Sequence, residues 1–81
     1  AWISPTAQIG AECSLGPGVF IGDGAIIGDD CDLYPGVHVG ANCRLGKSVT
    51  LYPHVVLYHE VHLDDRVIIH ANAVIGADGF G

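Results

Sequence analysis

The stretch VFIGDGAIIGDDCDLYPGVHVG, Val19 to Gly40, decides the fold. An aliphatic residue recurs at Ile21, Ile27, Leu33 and Val39, one in every six. Two positions before each stands a small residue: Val19, Ala25, Cys31 and Val37. Followed outward in both directions, the same beat runs without exception from Ile3 to Ile75. A helix cannot carry this pattern, because period six is no multiple of 3.6 and each interior glycine costs a helix about 1 kcal/mol. Short strands can: the small and aliphatic residues point inward, the residue between them points outward, and a turn follows. Glycine comes directly after the aliphatic residue in seven hexads, at Gly10, Gly16, Gly22, Gly28, Gly40, Gly46 and Gly76. Glycine there serves either a turn with positive φ or a close approach of two backbones.

Proline fixes how many strands complete a coil. Pro17, Pro35 and Pro53 lie eighteen apart at one repeat position, and a residue without an N–H belongs at a turn. Three hexads per coil give a solenoid of triangular cross-section, and 81 residues at eighteen per coil make about four and a half coils. The expected fold is therefore all-β, a parallel β-helix with coils about 4.8 Å apart, forming one domain over 1–81. Solenoid ends need caps, and neither end here is polar.

Stacking by eighteen sorts the outward residues onto faces. The first reads Trp2, Phe20, His38, Val56, Val74; the second Gln8, Ile26, Arg44, His62, Phe80; the third Ser14, Asp32, Thr50, Ile68. A continuous apolar stripe on a particle whose interior is already filled marks an interface, so the first face is the expected contact between copies. Tyr34, Tyr52 and His70 form a corner column beside it.

Composition narrows the partners. The net charge is −6 with only Arg44, Lys47 and Arg66 basic, which argues against nucleic acid and anionic lipid. No apolar run approaches the length of a membrane span, and AWISPTAQ is no signal peptide. The chain has no methionine and opens at Ala1, so we expect a piece of a longer protein. Cys13, Cys31 and Cys43 all occupy the small inward position, where cysteine acts as a compact hydrophobe. Asp23, Asp29, Asp30, Asp64 and Asp65 fall in turns, where carboxylates bond backbone amides rather than form a catalytic pair.

Two stretches go beyond a generic repeat. LYHEV, Leu57 to Val61, and AVIGADGFG, Ala73 to Gly81, resemble the UDP-3-O-acylglucosamine N-acyltransferase family of lipid A biosynthesis. The opening ISPTAQIGAECSLGPGVFIG resembles the start of that family's solenoid and is shared with the related UDP-N-acetylglucosamine O-acyltransferases. The resemblance implies a left-handed β-helix and a homotrimer in the bacterial cytoplasm. It further implies an acyl–acyl carrier protein donor, a UDP-sugar acceptor and no cofactor. It also accounts for the missed beat at Gly81, since GADGFG is where that family's chain leaves the solenoid, giving an exit loop near 77–81. The family's general-base histidine stands in an AHN context that does not occur here, so no catalytic residue is assigned. The residues expected to approach a substrate groove are His54, His59, His70, Asp78 and Phe80.

The step from His54 to His59 also resembles the paired histidines of hexapeptide-fold carbonic anhydrases. Here they lie three and two past their aliphatic residues, where that family has two and one, so no metal is expected. The reading from another class is a non-catalytic trimerisation or scaffold module.

Overall fold

The computed structural model describes residues 1–76. Thirteen two-residue strands follow the beat, and all of them pair in parallel. The first sheet stacks β1 (Trp2–Ile3), β4 (Phe20–Ile21), β7 (His38–Val39), β10 (Val56–Leu57) and β13 (Val74–Ile75). The second stacks β2 (Gln8–Ile9), β5 (Ile26–Ile27), β8 (Arg44–Leu45) and β11 (His62–Leu63). The third stacks β3 (Ser14–Leu15), β6 (Asp32–Leu33), β9 (Thr50–Leu51) and β12 (Ile68–Ile69). Each residue pairs with the one eighteen further on, as Phe20 does with His38. The predicted all-β solenoid of three strands per coil is the observed fold, with thirteen strands making four coils and one strand more.

The core is a column of the small and aliphatic residues. Val19, Ile21, Val37, Val39, Val49, Leu51, Val55 and Leu57 are almost wholly shielded from solvent. Burial fades toward both ends, where Ile3 is exposed and Leu15, Leu63 and Ile75 are only half-buried. That gradient follows from the architecture, since each coil is covered only by its neighbours.

The turns assign the punctuation residues their tasks. Left-handed φ falls three residues after the aliphatic position in every hexad from Glu12 to Asn72. The amide at that position donates to the coil before it, as Gly36 N does to Pro17 O (3.0 Å) and Asn42 N to Asp23 O (2.8 Å). These are type II turns, with proline or its substitute first and the left-handed residue second. Glycine directly after the aliphatic residue does the other job weighed in the sequence. From Gly10 to Gly46 none of these glycines has positive φ, and a Cβ there meets the backbone of the next coil. Gly76 departs from the pattern, with φ 82° at a position where its six counterparts are ordinary.

The turn position held by Pro17, Pro35 and Pro53 needs no backbone N–H bond. At two sites where another residue stands there, a carboxylate from the next coil takes up the amide: Asp29 Oδ1 for Ala11 N and Asp65 Oδ1 for Lys47 N, both at 2.8 Å. The Ala41 amide has no acceptor among the described residues. Ala41→Pro should therefore stabilise the fold by about 0.4–1 kcal/mol through loss of unfolded-state freedom. Gly40→Pro, which removes the 2.8 Å bond to Leu57 O, should cost about 3 kcal/mol. Urea titrations of the two variants check both signs.

Candidate functional site

The first face is the most distinctive surface of the molecule. Trp2 lies over Phe20 with ring centroids 4.9 Å apart, and Phe20 lies over the His38 imidazole at 4.6 Å with the planes only 4° apart. The parallel pairing of β1, β4 and β7 in register imposes this stack, because it places successive outward side chains directly above one another. Trp2 is 52% exposed, Phe20 36% and Val74 50%, with Val56 half-buried between them. No residue of this face carries a fixed charge, whereas Arg44 stands on the second and Asp32 on the third.

A groove of about 310 Å³ runs from this face round the corner that follows it. His38 and Val56 form its face side, Tyr58 and His59 its corner side, and Gly40 and Leu57 contribute to its lining. Tyr58, 41% exposed, was not singled out from the sequence although it stands inside LYHEV. Its signal was available: it takes a position that is glycine in the two coils before it, at Gly22 and Gly40.

The histidines do not converge. Of the groove candidates, His59 lines this groove. His54 and His70 sit at the corner between the third and first sheets, where His70 stacks on Tyr52 at 5.8 Å and Tyr52 lies tilted against Tyr34 at 4.9 Å. His54 has φ 63°, but seven other non-glycine residues share that backbone at the same repeat position, so the geometry belongs to the repeat and marks no special site. Asp78 and Phe80 lie outside the described residues. Among the described residues no three His, Cys, Asp or Glu side chains come together as a metal site.

A second depression, about 580 Å³, lies on the second sheet. Arg44 and Arg66 line it together with Asp64 and Asp65, so its charges balance. Asp23 and Thr6 tie the turns of the first two coils. Ser4, buried, donates its hydroxyl to Asp23, and Gly24 N donates to Thr6 Oγ1 at 3.0 Å.

The cysteines do more than fill space. Cys13, Cys31 and Cys43 are free, and each thiol donates to a carbonyl of the next coil: Gly28 O at 3.1 Å, Gly46 O at 3.2 Å and Tyr58 O at 2.9 Å. Those carbonyls close no turn bond of their own among the described residues. Burial pushes the Cys31 and Cys43 thiols above their ordinary value of 9.0. A raised thiol pKa favours folding fully below the unfolded value, and that contribution is lost as pH rises from 9.0 through the folded value. Stability should therefore fall in that alkaline window. At pH 8 a thiol reagent should label Cys13 first, and Cys31 and Cys43 only on unfolding. Stopped-flow labelling with and without urea measures this.

The repeat geometry agrees with a known pattern. The family model for bacterial transferase hexapeptide (six repeats) matches residues 18–52 and 42–77. The chain belongs to that hexapeptide transferase family. Among curated relatives, a Polynucleobacter asymbioticus protein named UDP-3-O-acylglucosamine N-acyltransferase is 42% identical over 81 residues, all of this chain and 23% of the relative. A Coxiella burnetii protein of the same name (strain RSA 493) is 51% identical over 85 residues, 98% of this chain and 25% of the relative. The chain thus spans about a quarter of the length of the relatives it matches. No solved structure matches it.

Proposed function

We propose that the chain is the solenoid scaffold of a homotrimeric bacterial, cytoplasmic N-acyltransferase that works in lipid A synthesis. Its donor is an acyl chain on acyl carrier protein, and its acceptor is the amine of a UDP-glucosamine derivative. The observation that carries this is a relationship of 42–51% identity across essentially the whole solenoid, to relatives bearing that enzyme's name. In the reaction the amine nitrogen attacks the thioester carbonyl, the C–N bond forms and the C–S bond breaks. A base takes the amine proton, and N–H donors hold the oxyanion. Residues 1–81 supply the rigid frame as one domain, and none of them is assigned as the base; the exit loop expected near 77–81 lies outside the described residues.

The frame assembles through the first face. The aromatic stack and the absence of fixed charge favour a second copy of this chain as its occupant. Phe20→Asp with Val56→Asp should give monomers or aggregates at concentrations where the parent sediments as a trimer. An intact trimer from the double variant removes this face from the interface.

A further inference from the structure

His38 stands in the middle of the first face, between Phe20 on one side and Val56 on the other. Its imidazole stacks face to face on the Phe20 ring. Among the described residues, neither its outward-row neighbours nor the lining of the groove beside it includes a carboxylate. The residues paired with β7 in the outward row are Phe20 of β4 and Val56 of β10, and the groove beside it adds Tyr58 and a second imidazole, His59. Histidine is the side chain whose charge changes between about pH 5 and 8. Protonation here acts in one direction on both sides of an assembly equilibrium. In the separate chain the cation is hydrated and lies against an aromatic ring, a favourable cation–π contact. In a closed interface the same charge loses its water, with no anion from this chain's face to offset it and another imidazole nearby.

We propose that His38 gates self-association by pH: the first faces close on one another with the imidazole neutral and separate when it takes up a proton. The inference rests on the assembly proposed above and adds its control. Each proton excluded from the assembly weakens it about tenfold per pH unit once free imidazole is the protonated form, so three chains give about a thousandfold in the trimer dissociation constant. The site class is a proton-sensing interface, and the only ligand it needs is the proton.

The test is sedimentation of the purified protein at pH 8.0 and pH 5.5, with far-UV circular dichroism to confirm that the solenoid persists. The expected result is a trimer at pH 8.0 and monomer at pH 5.5, both with the same spectrum. His38→Phe, which extends the aromatic stack without a titratable group, should stay trimeric at both values. His38→Arg should be monomeric at both. A parent trimer at both pH values overturns the gate and leaves the interface standing. Dissociation in acid that persists in His38→Phe overturns the assignment to His38. Monomers at both pH values for the parent and His38→Phe alike overturn the interface itself, and the gate with it.

Discussion

Gly28→Val will destabilise the solenoid by about 3 kcal/mol, at the upper end of what overpacking costs, and enough to unfold so small a domain at modest urea. A Cβ at this position meets the carbonyl oxygen of Gly46 and comes within 2.6 Å of its carbonyl carbon. Those are backbone atoms of the next coil, and they cannot swing aside as a side chain would. The coil spacing is set on either side of the clash by the Gly28 N to Leu45 O and Ser48 N to Asp29 O bonds, both 2.9 Å. Separating the coils to admit the methyls breaks the ladder. The same corner supplies its own control. Gly10, Gly28 and Gly46 are each covered by another coil and each is glycine, whereas Asp64, the fourth member of the column, has no described coil above it. Asp64→Val should accordingly change stability by less than about 0.5 kcal/mol. Equal urea midpoints for Gly28→Val and the parent would show that the coil stack yields more easily than its hydrogen bonds suggest.

That column also shows why so much of this fold was legible from the residues. A solenoid repeats one local problem, so a constraint too weak to read once is repeated thirteen times. The inward pair of Val37 and Val39, the outward His38 and the turn prolines were all readable because each position has a counterpart eighteen residues away. What repetition did not resolve was which constraint each turn residue obeys. Gly40 and Gly36 look alike in the sequence. One is required where two backbones meet, and the other takes the left-handed turn, where Asp30, Asn42 and His54 also sit. The left-handed position varies in identity because asparagine, aspartate and others accept that backbone at modest cost, so it left no clean period. The thiol bonds of Cys13, Cys31 and Cys43 were hidden for a different reason. A cysteine at a small inward site satisfies the packing pattern as alanine does, and only coordinates show that its sulfur faces an unbonded carbonyl.

The site was less legible than the fold. Stacking by eighteen places His38 on the first face, and the coil places it there too. Periodicity alone does not show that a groove joins this face to the next corner, because that depends on the bulk of Tyr58 and His59 against the absent side chain of Gly40. His54, His59 and His70 read as a cluster along the chain. The triangular section splits them between two corners, since a few residues of separation suffice to turn one corner of the coil.

Residues 1–81, assayed with acyl–acyl carrier protein and UDP-3-O-acylglucosamine, will show no acyl transfer above buffer. These residues correspond to 23–25% of the relatives' length, and the remaining three quarters of the relatives have no counterpart in them. Within the 81, no AHN stretch provides the base that the resemblance implies. The histidines present are poorly placed to substitute. All five are exposed, and none has a side-chain hydrogen bond among the described residues, so no hydrogen bond fixes the tautomer of an imidazole. A missing proton acceptor alone costs about 10²–10⁴ in rate. A substrate that is not held in line with the thioester forfeits the larger gain from positioning. His59 is the histidine best situated to contradict this expectation, because it alone of the three candidates lines a groove with the first face. Turnover abolished by His59→Ala but not by His54→Ala or His70→Ala would locate a working base in that groove. The solenoid would then be a catalyst in its own right, rather than the frame on which one is built.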